Sequence, residues 1–92
     1  MKIIQTGQAG SLESQDILIT IEKGENQSGL TIEIDSPSKI QYGSRIQKEI
    51  KAIAKNLGLE TGHIIAVDKG ALGFTIKART EAAIKRACEQ LD

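Results

Sequence analysis

The sequence predicts an α/β (α+β) two-layer sandwich, in which a largely antiparallel four-stranded sheet carries two helices on one face. Three segments alternate along the chain as strands do, a fourth is short and apolar, two have the apolar spacing of amphipathic helices, and the order is ββαββα. Neither helix can bury its apolar stripe alone, and each strand pair offers an apolar face. Both helices are therefore expected to pack on the same side of the sheet.

Residues 17–22 and 30–35 are predicted to form the first pair of strands. The first segment (ILITIE) places isoleucine at every second position, and the second (LTIEID) alternates strictly between apolar and polar residues. A period of two residues is typical of a strand with one buried face. Residues 23–29 (KGENQSG) are predicted to join the two strands as a turn.

A helix is predicted from about Ser38 to Leu57. Its start is indicated by Ser36-Pro37-Ser38, because proline lacks an N–H group and serine can cap a helix. Gly58 stands where a glycine commonly ends a helix. The apolar stripe falls at i, i+4, i+7 and i+11 and consists of Ile46, Ile50, Ile53 and Leu57.

The second half of the chain is predicted to repeat this arrangement. Residues 63–67 are short and apolar, residues 68–71 (DKGA) form a turn, and residues 72–78 (LGFTIKA) alternate as the fourth strand. Thr80 is placed as the cap of a final helix. The apolar face of that helix consists of Ile84, Ala87, Cys88 and Leu91.

Length and composition indicate a single small domain, residues 1–92, with one modest core. Hydrophobic residues make up 39% and charged residues 26%, proportions that favour a globular over a disordered chain. Residues 1–16 are predicted as a flexible leader loop, because residues 5–16 are polar and lack a period. No signal-peptide apolar region or run of ~20 apolar residues occurs, so a cytoplasmic location is expected.

The formal net charge is zero, so only a local patch could attract nucleic acid or a membrane. One face of the first predicted helix is basic and consists of Arg45, Lys48, Lys51 and Lys55. Such a face is most often simply solvated, but it could also meet an acidic partner or the phosphates of a nucleic acid or prosthetic arm. With only Tyr42 and Phe74 as aromatic residues, base stacking has little support.

No catalytic residue and no metal site is expected. His63 is the only histidine and is predicted at a strand edge, partly in solvent, where it cannot build a histidine metal cluster. Cys88 falls on an apolar helix face, where a buried thiol is a small hydrophobic side chain rather than a nucleophile. The chain is therefore not expected to act as an enzyme itself.

Ser14 lies in the predicted leader loop, between Glu13 and Asp16, just before the first strand. A capping or turn role is the ordinary expectation for a loop serine. An exposed hydroxyl on such a segment is also what a modifying transferase requires. The residue types alone leave both readings open.

Residues 9–16 (AGSLESQD) resemble the N-terminal motif of citrate lyase acyl carrier proteins, the gamma chains of that complex. The resemblance covers nearly the whole chain. It continues in the family's order through residues 32–36, 41–43 with Ile46, 68–72, 77–79, 81–82 and 86–87. Any one of these blocks is a weak signal, and it is their combination that is specific.

The resemblance implies a non-catalytic carrier whose working residue is Ser14. In that family the serine of the Leu-Glu-Ser-x-Asp motif carries 2'-(5''-phosphoribosyl)-3'-dephospho-coenzyme A through a phosphodiester, attached by a prosthetic-group transferase. The arm ends in a thiol that carries acetyl and citryl thioesters between the alpha (transferase) and beta (lyase) subunits of a hetero-oligomer. That complex cleaves citrate to acetate and oxaloacetate. Neither a membrane nor a nucleic acid is an implied partner.

Three alternatives remain at the level of sequence. The malonate decarboxylase acyl carrier protein shares the arm, but its motif usually has glycines around the serine, whereas Glu13 and Asp16 here favour the citrate enzyme. A small nucleic-acid-binding module would use the basic face of the first helix, against the zero net charge. A plain interaction domain would carry no modification.

Overall fold

The computed structural model describes residues 1–24, 29–37 and 39–88, with the backbone alone for residues 39–42. A four-stranded sheet and two helices confirm the predicted fold class. The elements are β1 (Gly7–Ala9), β2 (Ile17–Glu22), β3 (Leu30–Asp35), α1 (Lys39–Asn56), β4 (Gly62–Asp68) and α2 (Gly73–Ala87).

The strands are ordered β1-β2-β4-β3 across the sheet. β2 runs antiparallel to both of its neighbours, β1 and β4, whereas β3 and β4 are parallel. The sheet is therefore mixed and, as predicted, largely antiparallel. β3 and β4 run in the same direction because α1 returns the chain to the end at which β3 began.

One face of the sheet forms the core together with both helices. Ile17, Ile19 and Ile21 of β2 are fully buried there, beside Ile64 and Ala66 of β4. The helices pack against each other and complete the cluster with Ile46, Ile50, Ile76, Ala83 and Ile84. Burial of each large side chain contributes about 1.5–3 kcal/mol. In the described part of the chain, no helix combines the length and the apolar content needed to cross a membrane.

The C-terminus of α1 confirms the glycine predicted there. Gly58 has φ +83°, a left-handed conformation that glycine adopts without strain. Its N–H donates to the Lys55 carbonyl at 3.0 Å, and the Leu59 N–H donates to the Ala54 carbonyl at 2.9 Å. These two bonds form a Schellman motif. The cap predicted at Ser38 and residues 25–28 of the predicted turn lie outside the described residues.

The strand predicted over residues 72–78 is instead the beginning of α2. Thr80, predicted as a helix cap, is fully buried in the middle of this helix. Leu72 and Phe74 produced the apparent alternation, but both side chains are exposed. The true period is helical and appears in the buried residues Ile76, Thr80, Ala83, Ile84 and Ala87. Leu91, assigned to the same face, lies outside the described residues.

The prediction of a leader loop over residues 1–16 also needs correction, because this segment contains β1, which completes the four-stranded sheet. In β1, Gly7 pairs with Ile21 and Ala9 with Ile19. The segment GQA has no apolar alternation and gave no strand signal. Its position depends on Gly7, where any Cβ would overlap the backbone of Ala83 and Ala87 in α2. The position of β1 against α2 therefore depends on the absence of a side chain at Gly7.

Candidate functional site: the Ser14 loop

Ser14 lies in the loop of residues 10–16, between β1 and β2, and its side chain is exposed as predicted. The loop contains a turn in which the Asp16 N–H donates to the Glu13 carbonyl at 3.2 Å. Within the described residues, the Ser14 hydroxyl has no hydrogen-bond partner. It therefore caps no helix and is accessible to a second molecule.

The loop is anchored to the end of β4 rather than free. The Gln15 N–H donates to the Lys69 carbonyl at 2.8 Å, and the Lys69 N–H donates to the Asp16 carbonyl at 2.9 Å. These bonds continue the β2–β4 ladder beyond both strands. Gln15 takes φ +68°, a conformation that costs a non-glycine residue about 1 kcal/mol. The loop of residues 10–16 is thus held in a defined shape, whereas the prediction was of a flexible segment.

The Asp16 carboxylate connects the loop to α2. It accepts hydrogen bonds from Arg79 at 3.0 and 3.1 Å, from the Ser11 hydroxyl at 2.7 Å and from the Ile17 N–H at 2.7 Å. The Arg79 guanidinium, followed by the Ser11 and Ile17 hydrogen bonds, lowers the pKa of Asp16 from 3.8 to about 2. The carboxylate is therefore charged at neutral pH and positions the segment that carries Ser14.

A second carboxylate, Asp68, shapes the turn beside the loop. Its side chain is buried at the end of β4, where Oδ1 accepts from the N–H groups of Gly70 and Ala71 at 3.2 and 2.9 Å. Oδ2 accepts from the Ser36 hydroxyl at 2.9 Å. Asp68 thus fixes the turn that presents Lys69 to the Ser14 loop.

Ser14 shares one end of the sheet with the N-termini of both helices. β2 begins at this end, where Ile17 pairs with Asp68, and the parallel strands β3 and β4 end there. α1 follows β3 and α2 follows β4, so both helices begin at the same end, called here the Ser14 end. Helix N-termini carry positive partial charge, which favours an anionic group such as a phosphate.

Comparison with known proteins places these features in a family. The curated relatives include proteins called citrate lyase acyl carrier protein from Streptococcus mutans (46% identical over 97% of this chain and 86% of the relative) and Fusobacterium nucleatum (44% identical over 100% and 97%). A third, from Streptococcus equi subsp. zooepidemicus, is 51% identical over 95% of this chain and 84% of the relative. The chain belongs to the citrate lyase acyl carrier protein family. An acyl carrier family model described as malonate decarboxylase delta subunit (MdcD) also matches residues 4–87.

The fold brings together several sequence blocks that this family resemblance identified separately. Asp16 of the Ser14 motif pairs with Arg79, and Ser36 pairs with Asp68. The sequence analysis placed Asp68 in a turn and assigned no role to Arg79. For Asp16 and Arg79 the only available signal was an opposite charge in two distant blocks, and sequence does not reveal which charges meet. Ser36 and Asp68 gave no such signal, because serine is uncharged.

The two residues considered for catalysis lie away from Ser14. His63 is near the start of β4, at the opposite end of the sheet, with 25% of its side chain exposed. It lies between Glu22, at 3.2 Å, and Glu33, at 3.4 Å. Cys88 is buried as predicted, and burial raises the pKa of its thiol. Among the described residues, no group of three or more histidine, cysteine or acidic side chains is placed to hold a metal ion.

The basic face of α1 is exposed, as its helical spacing predicted. Arg45, Lys48, Lys51 and Lys55 are all exposed, whereas Ile46 is buried on the other side of the helix. The Arg45 side chain forms a salt bridge of 3.2 Å with Glu49. Contact of this face with a partner or a phosphate stays a prediction.

Proposed function

We propose that this chain is the acyl carrier subunit of a citrate lyase and that Ser14 is its covalent attachment point. The prosthetic group is 2'-(5''-phosphoribosyl)-3'-dephospho-coenzyme A, and the partners are the alpha (transferase) and beta (lyase) subunits. The observation that carries the proposal is the exposed Ser14 hydroxyl, which lies on an anchored loop and has no hydrogen-bond partner among the residues that the structure describes. Relatives named citrate lyase acyl carrier protein support the same assignment.

The residues around Ser14 suit a phosphodiester at this position. The N-termini of both helices lie at the Ser14 end, and Lys69 is exposed next to the loop. The positive charge of Lys69 and of the helix N-termini offsets the negative charge of a phosphate. When bound, the group supplies a terminal thiol that holds acyl groups as thioesters.

A carrier role assigns the chemistry to other subunits. The only histidine lies at the opposite end of the sheet, so no imidazole faces the Ser14 hydroxyl. Attachment is assigned to a separate prosthetic-group transferase. Tethering an acyl group gives it an effective concentration on the order of millimolar at any active site that the arm can reach. That advantage needs only a defined attachment point, which the anchored loop provides.

Mass spectrometry of the protein from its native host tests the attachment site. The peptide containing Ser14 is expected to carry a mass increment equal to that of the prosthetic group. A Ser14→Ala variant should lack the increment and should not support citrate cleavage when mixed with the catalytic subunits. Ser44→Ala is the matched control, because Ser44 is also exposed but lies in α1. It should retain both the increment and the activity.

Two results would contradict the proposal. One is a Ser14→Ala protein that still carries the increment, since the group would then be attached elsewhere. The other is a Ser14→Ala protein that lacks the increment yet supports full citrate cleavage.

The malonate decarboxylase carrier is the second candidate, favoured by the description of the matching family model. Both candidates use the same serine and the same arm. They differ in the enzyme that receives the acyl group. Loaded protein should restore citrate cleavage to carrier-free citrate lyase subunits and should not restore malonate decarboxylation to carrier-free malonate decarboxylase. The reverse result would establish the second candidate.

A further inference from the structure

Three exposed hydrophobic side chains lie at the Ser14 end: Leu12, Leu72 and Phe74, here called the apolar rim. Their exposed fractions are 57%, 61% and 74%. Leu12 is two residues before Ser14. Leu72 and Phe74 follow the turn whose Lys69 carbonyl accepts the Gln15 N–H. The apolar rim therefore shares the Ser14 end with the proposed attachment point, with Leu12 in the loop and Leu72 and Phe74 at the start of α2.

The fold gives no reason for an aromatic side chain at position 74. α2 turns Ile76, Ala83 and Ile84 toward the core, whereas Phe74 faces solvent. Burial of a phenylalanine side chain stabilises a fold, and the isolated chain does not gain that stabilisation. Exposed hydrophobic side chains that cluster are a mark of interaction sites.

The charges on the helical side of the apolar rim are mostly basic, although Glu13 lies next to Leu12 and Glu49 pairs with Arg45 near Gly73. Residues 69–80 contain Lys69, Lys77 and Arg79 and no acidic residue. More widely, the two helices hold nine of the twelve basic residues of the chain and two of its twelve acidic residues. The zero net charge thus conceals a basic helical layer. A partner that contacts the apolar rim must present carboxylates around its own apolar surface.

We propose that the apolar rim is the docking surface through which the carrier binds its catalytic subunits. The partner surface is an apolar pocket with an acidic border, next to the channel that admits an arm attached to Ser14. This inference rests on the proposed function. A second copy of the chain fits poorly, because a twofold contact through this patch would bring Lys69, Lys77 and both helix N-termini against their like-charged equivalents.

The apolar rim is small and consists of three side chains, so few residues supply its binding energy. One exposed aromatic side chain in such an interface commonly supplies much of the binding energy. Phe74 is therefore expected to be the residue on which affinity depends most.

Binding of apo-protein to the purified catalytic subunits of the host's citrate lyase tests the proposal. Phe74→Ala should weaken binding about tenfold or more, and Leu72→Ala should weaken it less. Lys77→Glu should also weaken it, and added salt should lower the wild-type affinity. Ile4→Ala is the matched control. Ile4 is 51% exposed, lies at the opposite end of the molecule and bonds Ala87 only through its backbone.

The outcomes separate this inference from the proposed function. Equal binding by wild type and Phe74→Ala would overturn the docking surface, even with Ser14 carrying the prosthetic group. The docking surface would also be overturned if the wild-type protein did not bind the catalytic subunits, even though Ser14 carries the prosthetic group. A concentration-dependent dimer that Phe74→Ala abolishes would assign the apolar rim to a second copy instead. Failure of the proposed function itself would appear as absence of the increment on Ser14.

Discussion

Arg79 holds Asp16 through two parallel hydrogen bonds. Its Nε donates to Oδ1 at 3.0 Å, and its Nη2 donates to Oδ2 at 3.1 Å. The two residues are 63 positions apart in the chain. A paired contact of this kind fixes orientation as well as distance. It links the helix that begins at the Ser14 end to the loop that presents Ser14.

Replacing Arg79 by methionine should loosen the Ser14 loop without unfolding the protein. The guanidinium is lost while most of the apolar stem is kept, so the main effect is on Asp16. Hydrogen exchange at the Gln15 amide, which bonds to the Lys69 carbonyl, should become several-fold faster. Attachment of the prosthetic group to Ser14 should become slower. Arg86→Met is the control, because Arg86 bonds to the Gln8 carbonyl in β1. An equal change in Gln15 exchange in both variants would contradict the assignment.

Stability should depend on the ionisation of Asp16 in acid. Its pKa is about 2 in the folded chain, against an ordinary value of 3.8. A lowered pKa means that the folded state favours the carboxylate, so the stabilisation is complete above about pH 4 and disappears as pH falls toward 2. Urea unfolding of wild type and Asp16→Asn between pH 2 and 6 measures this. The difference in unfolding free energy between the two proteins should be constant above about pH 4 and should shrink below it. A difference that did not change with pH would contradict the lowered pKa of Asp16.

Asp68→Ala should destabilise the fold by about 2–4 kcal/mol, because two amide groups and a buried hydroxyl would lose their acceptor. Asp68→Asn should cost less, since its carbonyl oxygen can still accept from Gly70 and Ala71. Asp35 is the control: it ends β3 but is exposed, and its replacement by alanine should change stability by less than about 0.5 kcal/mol. Urea unfolding compares the three variants. Equal losses from Asp68→Ala and Asp35→Ala would refute the role given to Asp68.

Gly7→Ala should destabilise the contact between β1 and α2 by about 1–3 kcal/mol, because the new methyl group would overlap the helix backbone. Gly73→Ala is the matched control. The nearest atoms to a Cβ there are at 3.7 Å, an ordinary contact, and alanine favours helix. That variant should be neutral or slightly stabilising in thermal unfolding. A Gly7→Ala protein as stable as wild type would mean that β1 can move away from α2 at no cost.

Periodicity predicted the elements in which side chains decide the structure. β2, β3 and α1 each continue one period for six residues or more, β4 was indicated by a short apolar run, and all four were found. Residues 72–78 were misassigned because the exposed Leu72 and Phe74 imitate a strand period. β1 was missed because its place depends on Gly7, which has no side chain for a pattern to use.

The site was predictable only in part. The motif around Ser14 predicted, from local sequence, the exposure of this residue and its proposed role as the attachment residue. The contacts of Asp16 with Arg79 and of Ser36 with Asp68 depend on the strand order β1-β2-β4-β3. No local pattern encodes that order. The apolar rim could not be predicted from local sequence either, because its prediction depends on the assignment of Phe74 to a helix.

The loop around Ser14 is fastened to β4 through Lys69 and to α2 through Arg79. Such an attachment point is a stationary pivot, so the distance that a tethered acyl group can cover is set by the length of the tether. In the proposed carrier, two active centres served in turn must lie within one tether's radius of a single point, or the whole domain must rotate between them. The length of a tether on the carrier therefore limits how far apart the two active centres can lie, although those centres belong to other subunits.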